Sequence, residues 1–126
     1  MKMKKLLLAA FPVALFSAQL QAGCKTPDLN GTWIMYQSNL AEQHTGRCEI
    51  NVARGAFTGH CVMGHHMEFD VTGTASVDKN CSASLQMDFS GGSSTFDLQL
   101  ARNKLAFVGQ WSNTFGTGGI SNGVKR

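Results

Sequence analysis

The residues best suited to chemistry lie in one short run, His60-Cys61-Val62-Met63-Gly64-His65-His66-Met67. His65, His66 and Met67 fall where a hairpin tip is expected, with Met63 just upstream. Imidazole and thioether suit soft and borderline metals, Cu(I) above all. A metal-binding reading therefore names His65, His66, Met63 and Met67, with copper as the cofactor. Against it, Met63 and Met67 also fit an inward apolar row, and His60 an outward one. No Cys-x-x-Cys or His-x-x-x-His spacing marks a preformed site. Neither a phosphate-cradling glycine loop nor His-Glu-x-x-His is present. The glycines fall at turns and in strands, where they mark bulges or close approach. The expectation is a protein that is not an enzyme.

The other reactive residues are Cys24, Cys48, Cys61 and Cys81. An even set in an exported chain reads as two disulfides. Export is expected because Lys2, Lys4 and Lys5 precede an apolar run from Leu6 to Phe16, followed by small and polar residues to Ala22. That is the layout of a secretory signal. The run is too short to span a bilayer, which takes about 20 apolar residues. Residues 1–22 are thus read as a signal peptide, and 23–126 as one domain of a bacterial periplasmic or secreted protein. The alternative is a lipid anchor on Cys24, because Ala22-Gly23-Cys24 is close to the end of a lipoprotein box. Gln21 stands where that box has an aliphatic residue, and acylation would strand one thiol. Within 23–126 the eight cations balance the eight anions. This excludes a basic nucleic-acid footprint as the default, and length and composition exclude a multidomain or disordered chain.

Something must position these residues, and the pattern points to strands. Apolar and polar residues alternate almost throughout: Phe69, Val71, Gly73, Ala75 and Val77 against Glu68, Asp70, Thr72, Thr74 and Ser76, then Ala83, Leu85, Met87 and Phe89 against Ser82, Ser84, Gln86 and Asp88. Period-2 alternation means one buried and one wet face. Eight strands are expected, near 31–38, 46–53, 56–63, 67–77, 81–90, 94–101, 104–112 and 117–125. Two-residue turns are expected at Arg54-Gly55, Gly92-Ser93 and Arg102-Asn103, and three-residue turns at 64–66 and 78–80, with Asn80 at positive φ. Those turns oppose Phe89 to Phe96 and Leu100 to Leu105. Short links make a nearest-neighbour meander, and closing it buries the apolar face and removes the edges. The fold class is all-β, an eight-stranded antiparallel up-and-down barrel; the alternative is a small two-sheet sandwich.

The Arg54-Gly55 turn places Cys48 directly opposite Cys61, as a non-hydrogen-bonded pair with Cα atoms about 4.5 Å apart. A disulfide tolerates about 4.4–6.8 Å. Cys24 then pairs with Cys81, tying the N-terminal lead-in to the fifth strand.

At Leu29-Asn30-Gly31-Thr32-Trp33 the chain resembles the opening of the calycin superfamily, the lipocalins and avidins. The resemblance implies a Trp that plugs one end of an eight-stranded barrel, with a basic residue of the last strand packed over it, a role open to Lys125 or Arg126. Gly55-Ala56-Phe57-Thr58-Gly59 is similar to an avidin hairpin. The biotin site does not carry over: Met35 stands where avidins have an Asn and Cys61 where they have a Tyr, so no biotin binding is expected. Bacterial metalloprotease inhibitors of the same superfamily share the Gly-x-Trp opening and a disulfide.

An eight-stranded barrel is either filled by side chains or holds one small ligand. The inward rows include Met63, Met67, Leu105 and Trp111, and small residues leave room among the large ones. Both a packed barrel and an apolar pocket fit. For a pocket the expected wall is Trp33, Met35, Phe57, Phe69, Val71, Met87 and Phe107, with Tyr36 or Gln110 orienting the ligand by hydrogen bonds. The leading function is an exported, non-catalytic binding protein for a small apolar molecule. The alternatives are a protease-inhibitor-like module that meets an extracellular protein through its surface or lead-in, and the copper site above.

Overall fold

A computed structural model describes residues 23–39, 41, 44–64 and 66–126. The signal-peptide reading, on residues 1–22, lies outside the described residues. A short 3-10 turn, Thr26–Leu29, leads into eight strands: β1 Gly31–Asn39, β2 His44–Ala53, β3 Ala56–Met63, β4 Met67–Val77, β5 Ser82–Phe89, β6 Gly92–Leu100, β7 Ala106–Asn113 and β8 Gly118–Lys125. Each strand pairs antiparallel with the next, and β8 pairs with β1. The sheet is a closed up-and-down barrel, and the β1–β8 pairing removes the sandwich alternative. Closure leaves no open edge, so every strand finds backbone partners on both sides.

The alternation does what its period requires. Trp33, Met35, Cys48, Ile50, Phe57, Cys61, Val71, Leu85, Met87, Phe96, Leu98 and Phe107 turn inward and are buried. Arg54 and Gly55 both take positive φ, 55° and 76°. Such a turn matches strand twist, and it opposes Val52 to Phe57 and Cys48 to Cys61. Both disulfides form as expected. Cys48 and Cys61 bridge inside the barrel with Cα atoms 4.0 Å apart, and Cys24–Cys81 ties the lead-in to the start of β5. Two disulfides accord with an oxidising compartment.

Three turns differ from expectation. The β5–β6 loop is Ser90-Gly91, not Gly92-Ser93, so Phe89 faces Gly92 and Phe96 faces Leu85. Gly91 supplies the positive φ, and the missing side chain at Gly92 makes room for the rings of Phe89 and Phe115. The β6–β7 link is wider than Arg102-Asn103. Lys104 takes φ 63°, Asn103 Oδ1 accepts from Leu105 N, and Leu100 faces Phe107 rather than Leu105. Leu105, expected inside, is exposed. In the β4–β5 link the left-handed residue is Cys81, not Asn80; the Asp78 carboxylate accepts from Asn80 N and Ser82 N and holds that turn.

The two ends of the barrel differ. At one end the lead-in folds across the opening. Trp33 Nε1 donates to Leu29 O at 2.8 Å, and Trp33 packs on Phe107 with centroids 5.2 Å apart. Lys125, not Arg126, takes the place over Trp33, its Nζ 5.3 Å from the ring centroid; Arg126 pairs with Glu49 instead. Asp28 binds this seal together. Its carboxylate accepts from Lys25 N and pairs with Lys104, and its carbonyl accepts from Lys125 Nζ. The Lys25 hydrogen bond holds the Asp28 carboxyl below its usual value against the opposing effect of burial, with help from Lys104 and Lys125. The remaining cavity among Leu29, Trp33, Ile50, Val52 and Phe107 is about 10 Å³, room for at most one water. This half is a packed core.

Candidate functional site

At the opposite end the inward rows change character. Above the buried disulfide come Gln37 and Asn39 on β1, Ser94 on β6 and Ser121 on β8, each less than a tenth exposed. Two donors at this level are spent on backbone carbonyls of β1. Ser121 Oγ donates to Tyr36 O at 3.0 Å, and Trp111 Nε1 to Ser38 O at 3.3 Å. Gln37 Nε2 contacts Cys48 Sγ at 3.4 Å. Gln37 Oε1 accepts no hydrogen bond. Around this polar level stands an apolar rim. Phe69 and Phe89 lie 5.5 Å apart, and Phe89 and Phe115 6.2 Å apart. Phe115 is 66% exposed, as is Met67.

The expected wall is split by this geometry. Trp33, Phe57 and Phe107 belong to the sealed, packed end. Met35, Val71 and Met87 are buried at mid-height, and Phe69 reaches the rim. Neither expected orienter faces the interior. Tyr36 is half exposed, and Gln110 lies on the outer face of β7. Each is one residue out of phase with an inward neighbour, Met35 and Trp111, so neither reaches the interior. The polar side chain missed was Gln37, which continues the inward row Trp33, Met35, Gln37, Asn39. Parity alone would have found it.

The histidine and methionine run comes partly together. Met63 and Met67 oppose each other across the β3–β4 hairpin, and His66 is exposed at φ 69°. His65 lies outside the described residues. Met67, opposite Met63 and in phase with Phe69 and Val71, keeps the parity of the inward row but is exposed at the open rim. Among the described residues no group of three His, Cys, Asp or Glu side chains is placed to hold a metal.

His60 points outward into an open depression of about 590 Å³ over β2, β3 and β4. Its Nδ1 lies 2.9 Å from Asp70 and its Nε2 3.3 Å from Glu68. These carboxylates raise its pKa, Asp70 more than Glu68. Both ring nitrogens are engaged by carboxylates. Gly119-Ile120-Ser121-Asn122-Gly123 spells Gly-x-Ser-x-Gly. A nucleophile elbow needs a sharp strand-to-helix turn that exposes the Ser. Here the string runs mid-strand in β8, and Ser121 is fully buried.

No protein-family model matches the chain, and no curated protein matches its sequence. Solved structures share its shape. A de novo designed fluorescence-activating β-barrel superposes with a TM-score of 0.63 at 14% identity, covering 77% of this chain and 93% of the design. A redesigned β-barrel bound to DFHBI gives 0.64 at 11% identity, covering 79% and 95%. At such identities the likeness is one of fold: a small closed antiparallel barrel.

Proposed function

We propose that this chain is an exported, non-catalytic binding protein of calycin-like build that takes a small apolar molecule at the open end of its barrel. The supporting observation is the asymmetry of the ends. One is sealed by Leu29, Trp33, Lys125 and the Cys24–Cys81 bridge; the other combines a ring of Phe69, Phe89 and Phe115 with buried, uncharged polar groups below it. Ligand sites are commonly of this kind, apolar walls with a few placed polar groups. A redesigned β-barrel of similar fold is bound to DFHBI, which supports room for one small ligand in this architecture. Trp33 with Lys125 over it accords with the calycin resemblance, and the two disulfides with export.

A second reading has its own observation. The outward residues of β1, β7 and β8 include Ile34, Tyr36, Val108, Ile120 and Val124, with no charge among them between Thr32 and Val124. The outward faces of β2 to β6 carry the charges. An uncharged, partly apolar face is what a protein partner would cover. The lead-in, by contrast, is stapled down and does not project.

The deciding experiment is the mass of protein from its own host's exported fraction, native and then denatured. A native excess of a few hundred daltons supports the ligand reading. An excess of one copper ion favours the Met63, His66, Met67 tip instead. No excess, with no binding of an apolar fluorophore, turns the search to the β7–β8–β1 face.

A further inference from the structure

We propose that the molecule taken at the open end is neutral and carries a hydrogen-bond donor on the end that enters first, that Gln37 Oε1 is its acceptor, and that Met63 is the plug it displaces. This rests on the open-end reading above and names the ligand class for it.

Gln37 is 5% exposed, and its carbonyl oxygen accepts nothing. Buried side-chain acceptors without a donor are exceptions that cost stability, and a ligand is one physical reason to keep one. The amide is oriented from its other end by the contact of Nε2 with Cys48 Sγ, whose disulfide is itself fully buried. Two nearby donors are committed elsewhere: Ser121 Oγ to Tyr36 O and Trp111 Nε1 to Ser38 O. Among the described residues no group donates to Gln37 Oε1, so a ligand donor would complete it. The buried polar residues around it, Asn39, Ser94 and Ser121, are all uncharged. Among the described residues no counter-ion stands there for a charged, desolvated ligand, so a neutral ligand fits best. The Phe69, Phe89 and Phe115 rings suit a flat apolar body.

Met63 supplies the room. Its strand partner is Gly46, which in turn pairs with Gln37. A Cβ on Gly46 would collide with Met63 Sδ and Cε and would come within 3.5 Å of Gln37 Oε1. The thioether therefore lies in the space that Gly46 leaves, beside the unpaired carbonyl. Met63 is only partly buried, and unbranched methionine repacks readily. Swinging it out would open a pocket floored by Gly46 with Gln37 Oε1 on its wall.

The test uses the oxidised mature chain and two probes of one body, 2-naphthol and 2-methoxynaphthalene, of which only the first donates an O–H. Sites built around a hydrogen bond reject the analogue that lacks it. The wild-type protein is expected to bind 2-naphthol about tenfold or more tightly than its methyl ether. Gln37→Leu should bring the ratio to about one, and Met63→Ala should tighten both probes. In wild-type protein the Gln37 carbonyl carbon resonance should shift with 2-naphthol and stay still with the ether, which needs no folded variant. Equal binding of both probes, or a preference for the ether, overturns the role of Gln37 and leaves the open-end reading standing. Binding of neither probe, in wild-type protein and in Met63→Ala, overturns both.

Discussion

Lys125 Nζ stands 5.3 Å above the ring of Trp33 and donates to the carbonyl of Asp28 at 2.8 Å. One ammonium thus ties the last strand to the first and to the lead-in before it. Its two roles separate by substitution. Lys125→Met keeps the aliphatic stem over the indole but removes the charge and the donor. The expected loss is about 1–2 kcal/mol, a partly exposed cation–π contact plus one hydrogen bond. Trp33→Ala removes the plug itself, with an expected loss of about 3–5 kcal/mol. Denaturant midpoints with unchanged slopes would check both. A Lys125→Met protein as stable as wild type would mean that packing of the stem alone seals this end.

A second prediction concerns two neighbours in β8 whose residue types mislead. Ile120 is half exposed, and Ser121 is fully buried. Ile120→Lys should change stability by no more than about 0.5 kcal/mol, as a surface substitution. Ser121→Leu should cost about 1–3 kcal/mol, since it overpacks a filled row and removes the bond to Tyr36 O. Thermal melts of the two variants test the register of the whole strand. The reverse ranking would mean that β8 is slipped by one residue.

That strand shows where the sequence stops being legible. Strand existence, order and closure follow from alternation and short links, and the Cys48–Cys61 bridge from one two-residue turn. In β8 the inward positions are Gly119, Ser121 and Gly123, small because neighbours use their space; a Cβ on Gly123 would strike the Phe107 ring. Period-2 hydrophobicity is therefore inverted in β8, and only its partners reveal its phase. The β5–β6 register is hidden from the sequence for a similar reason. Adjacent Gly91 and Gly92 offer two turns, and the choice falls to the rings of Phe89 and Phe115, which come from different hairpins. The seven expected wall residues are all apolar and spread over both ends, whereas the informative residue at the open end is the polar Gln37. Its unpaired carbonyl is a property of three-dimensional surroundings that no spacing encodes.

The disulfides differ in what they restrain and in how they can be reached. Cys24–Cys81 spans 57 residues and Cys48–Cys61 spans 13. By loop entropy alone, removing the first costs about 4 kcal/mol and the second about 3 kcal/mol. Access runs the same way. Cys48 and Cys61 are wholly buried, whereas Cys81 is only partly so. Thiol reductant on the native protein should open Cys24–Cys81 first, leaving Cys48–Cys61 until the barrel unfolds. Timed alkylation followed by intact mass would show a two-thiol species before a four-thiol one. Direct passage to four thiols would mean that loss of the lead-in staple unfolds the whole barrel.

His60 gives the outer face a pH dependence with a definite sign. The Asp70 carboxylate, and behind it Glu68, raise its pKa above 6.5, while Glu49 on the neighbouring strand is paired with Arg126. A raised pKa in the folded state means that protonated His60 is favoured by folding. Its contribution is fully present below pH 6.5, falls as pH climbs through the raised value, and is absent above it. His60→Gln should therefore lower the denaturation midpoint at about pH 5.5 and leave it unchanged at about pH 8.5. The effect is small, because His60 is about half exposed, and about 1 M salt should shrink it further. A ring titration followed by NMR locates the midpoint directly. A midpoint at or below 6.5 would mean that water, rather than Asp70 and Glu68, governs this imidazole, and the pH-dependent difference between the two proteins would then vanish.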